Sequence, residues 1–303
     1  MPPLHRHSSK NGPAPIVWLD VDDTVLDFTG AHPSGVRAVE RWAGRHMDPL
    51  KAKKLAELFD RCFRVSLRDW HKGGDGSHAT LQTNGNKASD ESALADRLTR
   101  RLERVTADGP KPVRWAREVW LEIAAEDSGV KLPREELTQG TAEYWKALAP
   151  AQKLYPGVAD TVGELRVRGY RTYLVSSSDC RLIPGEGGWR YEPGPAMEWK
   201  RARMKEALRP IAGLVEGVVL GDPYEKSGPE FFRHALEQTP LEPGGFVIAV
   251  GDSLESDIKY AREADARVRF GVLCDPHGRY PAGPLPGADA RIDQVPGLLQ
   301  HFF

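Results

Sequence analysis

Three carboxylates crowd the end of a short apolar run: Ile16-Val17-Trp18-Leu19 leads into Asp20, Val21, Asp22 and Asp23, then Thr24-Val25-Leu26. Acids this close repel one another unless a cation sits among them. An acidic turn after a strand is the plainer alternative. A calcium-binding loop fits less well, because no Gly stands at its sixth position and no helix precedes it. A carboxylate is a competent nucleophile toward phosphorus, giving an acyl phosphate that water then hydrolyses. A second acid two residues on can protonate a leaving oxygen and later deprotonate the attacking water. The phosphoryl group is itself anionic, so the reaction needs cations, and hard oxygen donors beside a phosphate suit Mg²⁺.

Such residues must be held by a frame. The four apolar residues before Asp20 are too few for a helix and read as a buried strand. Similar strands are Thr172-Tyr173-Leu174-Val175, followed by Ser176 and Ser177; Gly217 to Leu220, followed by Lys226; and Phe246 to Val250, followed by Gly251-Asp252-Ser253 and Asp257. Helices are expected between them, from Tyr155 to Arg168 with Gly169 as a stop, around Met204 to Leu208, from Pro229 to Glu237 and from Ser256 to Ala264. A last strand is expected over Val268 to Leu273. Apolar strands alternating with helices indicate a parallel sheet covered on both faces. Ligands of such sheets bind at the carboxyl ends of the strands, so these polar residues converge on one site. A serine hydroxyl, backbone amides and a lysine are suited to holding phosphoryl oxygens.

Between the first strand and Tyr155 the pattern is helical. Helices are expected over Pro33 to Ala43, Leu50 to Trp70, Ser92 to Val105, Pro112 to Glu126 and Arg134 to Leu148. Lys72 to Glu91, rich in Gly and nearly free of apolar residues, reads as a long mobile loop or a disordered segment. His71 and His78 have no Cys or acidic partner in register and are not read as metal ligands. Arg97, Arg100, Arg101 and Arg104 read as a solvated helix face, and the aromatic stripes of this region as core.

Composition sets outer bounds. The chain has 303 residues, with 42 Lys plus Arg against 43 Asp plus Glu, so no basic surface for nucleic acid or membrane stands out. Cys62, Cys180 and Cys274 lie far apart without metal-type spacing, which fits a reducing cytoplasm and buried thiols. No apolar run is long enough to span a membrane. Residues 1–15 are polar and Pro-rich, lack a signal peptide's apolar centre, and read as a disordered tail.

Taken together, Asp20-Val21-Asp22-Asp23-Thr24-Val25-Leu26, Ser176 after its strand, Lys226 with Pro229 and Phe232, and Gly251-Asp252-Ser253-Leu254-Glu255-Ser256-Asp257 resemble, in order, the four motifs of the haloacid dehalogenase superfamily. The resemblance spans residues 16–264. It implies an α/β fold, a Rossmann-like three-layer parallel-sheet core over 16–27 and 155–303 with an all-helical cap inserted over 28–154, as in phosphoglycolate-phosphatase-like members. It also implies that Asp20 is nucleophile and Mg²⁺ ligand, Asp22 acid and base with its carbonyl on the metal, Ser176 and Ser177 phosphate ligands, Lys226 the neutralising cation, Asp252 a metal ligand and Asp257 a supporting acid. Asp257 also reads as an early-helix acid favoured by the helix dipole.

Two features depart from the family pattern. Ser227 and Gly228 separate Lys226 from Pro229, and a Gly- and Pro-rich insertion lies between Asp179 and Trp199. Issuing from the second active-site strand, that insertion offers Arg181, Trp189, Arg190 and Tyr191 as leaving-group contacts, or is a surface loop without a role. The presence of Asp22 points to phosphate esters, since dehalogenases lack that acid. The expected activity is therefore a Mg²⁺-dependent phosphatase acting on a small-molecule phosphate ester. A phosphomutase or phosphotransferase of the same superfamily and a non-catalytic phosphometabolite-binding protein are the alternatives. Neither the substrate nor the oligomeric state is legible.

Overall fold

The computed structural model describes residues 13–71, 85–109, 115–221 and 225–302. Strand β1 (Ile16–Leu19) is buried along its whole length. Because side chains alternate across a strand, Val17 and Leu19 enter one apolar layer while Ile16 and Trp18 enter the other. The chain then turns sharply: the amides of Val25 and Leu26 both donate to the Val21 carbonyl, at 3.0 and 2.8 Å. Asp23 takes φ 62°, a left-handed conformation that Asp tolerates better than most residues. This turn ends the strand at the first carboxylate.

Helices α1 (Phe28–Ala43), α2 (Pro49–His71) and α3 (Gly85–Glu103), the two-residue strand β2 (Thr106–Ala107), and helices α4 (Arg117–Asp127) and α5 (Arg134–Ala151) follow. Their apolar faces meet in one cluster that includes Trp42, Leu55, Phe59, Trp120 and Tyr144. α1 and α5 approach closely at Gly35, where a Cβ would lie 2.3 Å from the Tyr144 ring. Asp27 caps α1 by accepting from the Gly30 amide at 2.7 Å. The expected helices thus form, with α1 starting at Phe28 and α4 at Arg117. Residues 72–84 of the expected loop and 110–114 lie outside the described residues, His78 among them, while α3 already runs through 85–91.

The alternating pattern then builds the sheet. α6 (Val158–Val167) leads to β3 (Arg171–Ser176), a hairpin of β4 (Leu182–Gly185) and β5 (Gly188–Tyr191) leads to α7 (Pro193–Leu208), and β6 (Gly217–Leu220) leads to α8 (Pro229–Gln238). β7 (Val247–Gly251), α9 (Tyr260–Ala264), β8 (Val268–Cys274), β9 (Ala290–Ile292) and α10 (Gly297–Phe302) complete it. The six strands are all parallel, in the order β6-β3-β1-β7-β8-β9. Leu19 pairs with Leu174 of β3 and Val250 of β7, so the residues after all three end at one level. Helices cover both faces. Phe231, Phe232 and Ala261 pack on the Ile16–Trp18 side, and Val162, Met204 and Leu298 on the other.

The 179–199 insertion departs from expectation. Its Gly- and Pro-rich text forms the β4–β5 hairpin, and β5 pairs with β2 of the helical region to make a second, three-stranded sheet. Leu182, Trp189 and Tyr191 join the core of helices α1 to α5. The last seven residues of the insertion already belong to α7, which opens at Pro193. Cys62, Cys180 and Cys274 are buried free thiols. No helix among the described residues is long and apolar enough to cross a membrane.

Candidate active site

Asp20 stands one residue past β1, between the ends of β3 and β7. Its Oδ1 accepts from Lys226 Nζ at 2.5 Å, and the same nitrogen donates to Asp257 Oδ1 at 2.7 Å. Lys226 is positioned from its backbone, its amide donating to Ser177 Oγ at 3.1 Å. Asp257 is held by the Ser253 amide at 2.9 Å. It tucks against Gly251, where a Cβ would lie 2.3 Å from its Cγ, so a glycine is required there. Carboxylate oxygens of Asp20, Asp252 and Asp257 lie within 4.8 Å of one another.

The electrostatics of this group are unbalanced. Burial, reinforced by Asp257 and Asp22 and opposed by Lys226, pushes Asp20 up to about 7. Burial likewise drives Asp252 well above the carboxylate range, with Arg279 opposing and the neighbouring acids adding to it. Against a burial that alone would lower it, Asp20 and Asp257 hold Lys226 above its ordinary value. Three buried carboxylates this close, all offering hard oxygen donors, fit a divalent cation of the Mg²⁺ type. Arg279 also takes part: Nη1 reaches Asp252 Oδ2 at 2.8 Å and Nη2 reaches Asp23 Oδ2 at 2.5 Å. Asp23 in turn accepts from the Thr29 amide at 2.7 Å, which ties the turn after β1 to the first residues of α1.

Asp22 has different surroundings. Its Oδ2 accepts from Lys200 Nζ and Arg203 Nη2, both at 2.9 Å, and its Oδ1 accepts from Gln152 Nε2 at 2.8 Å. Arg203 is shared with Asp179, to which Nε and Nη2 each donate at 2.9 Å. Although burial alone would raise it, Arg203 and Lys200 hold Asp22 far below the carboxylate range. Every group at hydrogen-bond distance from its carboxylate is a donor, so the arrangement keeps it ionised. Lys200 Nζ also donates to Ser176 Oγ at 2.9 Å. That contact occupies a lone pair of the hydroxyl and leaves its hydrogen available to a ligand.

These residues floor a pocket of about 80 Å³, lined by Asp20, Asp22, Ser176, Ser177, Lys200, Lys226 and Asp252 from the sheet side and by Phe28, Phe63, Leu67, Trp115 and Arg117 from the helical side. Asp20, Asp22, Ser176, Ser177, Lys226 and Asp252 therefore share one cavity, with Asp257 behind Lys226. The insertion residues expected to touch a leaving group do not line it. Trp189 and Tyr191 are buried, and Tyr191 bonds Ser178 and Glu225 at 3.0 and 3.1 Å. Arg190 pairs with Asp108 and Glu192. Arg181 is stacked between Trp145 and Trp199, at 4.9 and 5.1 Å.

Lys200, Arg203, Gln152, Arg279 and Arg117 were not read from the sequence. A signal for the first two exists. Ala196, Lys200, Arg203, Met204 and Leu208 recur at helical steps on the buried face of α7, so two cations occupy positions that pattern alone assigns to apolar residues.

A model of the haloacid dehalogenase-like hydrolase family matches residues 15–265. No curated protein matches the chain by sequence. Among solved structures, a HAD-hydrolase from Bacillus subtilis, YfnB, described as putative and bound to magnesium, aligns at 13% identity over 95% of this chain and 98% of that one, with a TM-score of 0.55. A HAD phosphatase from Thermococcus onnurineus aligns at 16% identity over 94% and 96%, TM-score 0.46. A 2-haloacid dehalogenase from Pseudomonas syringae pv. Tomato DC3000 aligns at 17% identity over 95% and 97%, TM-score 0.48. At 13% identity the likeness to the Bacillus subtilis protein is one of fold alone.

Proposed function

The chain belongs to the haloacid dehalogenase-like hydrolases, and from that membership and the geometry of its pocket we propose that it is a Mg²⁺-dependent phosphatase acting on a small-molecule phosphate monoester. The observation that carries this reading is Lys226 bridging Asp20 and Asp257 inside a buried acidic group, with Ser176 and Ser177 beside it. Asp20 attacks phosphorus in line with the leaving oxygen and becomes the aspartyl phosphate. Ser176, its lone pair engaged by Lys200, donates its hydroxyl hydrogen to a phosphoryl oxygen. Lys226 balances the charge of the nucleophile as the phosphoryl group approaches. Mg²⁺ held by Asp20, Asp252 and the Asp22 carbonyl would neutralise phosphoryl charge when bound. Asp22, as the carboxylate its partners favour, is ready to take the proton of the water that hydrolyses the intermediate. To protonate the leaving group in the first half, it must first take up a proton, with Lys200 and Arg203 adjusting.

The same ion pairs support a second reading. Displacement at carbon, with a halide leaving, requires no acid and so suits a permanently ionised Asp22. The deciding experiment measures phosphate release from p-nitrophenyl phosphate, with Mg²⁺ and with EDTA, for wild type and Asp20→Asn, alongside halide release from a short-chain haloacid. Metal-dependent phosphate release that vanishes in the variant supports the phosphatase. Halide release without phosphate release supports the second reading. Phosphate release surviving in Asp20→Asn sinks the proposed nucleophile.

A further inference from the structure

The helical wall of the pocket carries a cation that this chemistry does not use. Arg117, the first residue of α4, is only 4% exposed and lines the same cavity as Asp20 and Lys226. Among the described residues, no carboxylate lies within ion-pair distance of it. Its Nη1 donates to the Trp115 carbonyl, and its Nε finds no acceptor. Glu118, its neighbour in sequence, accepts from Thr141 instead. Lys200 and Arg203, buried beside the same cavity, are paired with Asp22 and Asp179.

A desolvated guanidinium without a counter-charge is costly. The structure offsets part of that cost with rings. Arg117 Cζ lies 4.6 Å from the Trp120 centroid, 4.7 Å from Trp145, 5.4 Å from Phe28 and 5.6 Å from Trp115. Trp115 itself holds φ 63°, a conformation that a bulky residue keeps only where its surroundings enforce it. In that conformation its carbonyl meets Arg117 and its ring lines the pocket. A planar fork with an unused donor, set among rings at the end of the cavity away from the sheet, is shaped for an oxyanion on a flat or apolar body.

We infer that Arg117, with Trp115, Phe28 and Phe63, forms a leaving-group subsite, and that the substrate is a phosphate ester whose alcohol carries a second oxyanion. The inference rests on the phosphatase reading for the identity of the other end of the substrate. It is tested with para-carboxyphenyl phosphate, its neutral isostere para-carbamoylphenyl phosphate, and hydroquinone bisphosphate, using wild type, Arg117→Met and Arg117→Lys. Wild type should favour one of the two anionic esters over the amide by about tenfold or more in kcat/KM, as expected of a charge-assisted bond. Which of the two wins distinguishes a carboxylate from a second phosphate.

That ratio should fall to near one in Arg117→Met and part-way in Arg117→Lys, which keeps the charge and loses the fork. Equal use of charged and neutral esters by wild type, or an unchanged ratio in the variants, overturns the subsite. Should Arg117→Met fail to fold, the lysine variant decides by the same ratio. A parallel measurement needs no turnover: quenching of tryptophan fluorescence by para-hydroxybenzoate against para-hydroxybenzamide. If no ester is hydrolysed yet the carboxylate binds selectively and loses that selectivity in Arg117→Lys, the subsite stands and the phosphatase reading falls. If no ester is hydrolysed and neither compound binds selectively, the subsite falls too.

Discussion

Two charge clusters share the floor of one pocket and are built to opposite balances. Around Asp20, the acids Asp20, Asp23, Asp252 and Asp257 are served by Lys226 and Arg279, with His277 also against Asp23. Around Asp22, the acids Asp22 and Asp179 meet Lys200 and Arg203 one for one. The consequence is read in the protons. Burial wins at Asp20, which is pushed up to about 7, and at Asp252, whereas cations win at Asp23 and throughout the second cluster, holding Asp22 and Asp179 low. Two acids separated by one residue thus differ because of what the fold brings to each. The first cluster is short of positive charge and suited to a cation or a reacting group. The second is matched charge for charge and holds Asp22 in place.

The sharpest way to break this contrast is to remove the key acid of the first cluster. Asp20→Asn keeps the shape and loses the proposed nucleophile, and steady-state phosphate release should fall by about a thousandfold or more. A drop of only a few fold would assign the chemistry elsewhere. In the second cluster the effect should fall on stability. Arg203→Met leaves Asp22 and Asp179 with one cation between them, and urea unfolding should show a loss of about 3–5 kcal/mol. A near-neutral result would mean that the pairing orients nothing.

A smaller effect separates the clusters by pH. The pKa of Asp20 is raised in the folded protein, so its contribution to stability is complete below the ordinary carboxylate range and is lost as pH rises through about 7. Without metal, stability should therefore decline over that interval. Added Mg²⁺ should raise the melting temperature more at about pH 8 than at about pH 5, because cation and proton compete for the same oxygens. Equal shifts at both values would argue that the cation binds elsewhere. The smallest expected change is Ser176→Ala, which removes one hydroxyl donor and should lower kcat/KM about tenfold, the worth of one charge-assisted bond.

Much of the site could be read along the chain because its residues sit at the ends of elements with local signatures. Asp20, Ser176 and Asp252 each follow a buried apolar strand, and the pairing of Leu19 with Leu174 and Val250 brings those ends level. The β4–β5 hairpin was not legible. Its Gly- and Pro-rich residues look like a loop until they pair with Thr106 and Ala107, more than eighty residues away in sequence. Lys200 and Arg203 escaped for a related reason. A basic stretch on a helix ordinarily faces water, and only the return of Asp22 from 178 residues away makes its burial tolerable.

What the amino-acid sequence determined by itself was the inventory of candidate reacting groups and the order in which strands present them. Both depend on residue type and on periodicities that extend over a few residues. What only the tertiary structure decided was the state of those groups: which acid holds a proton, which cation is satisfied, and which arginine is left facing the pocket. Ionisation and desolvation are set by neighbours within a few ångströms, and in this protein those neighbours come from α7, from Gln152 after α5, from Lys226 after β6 and from Arg279 after β8 at once.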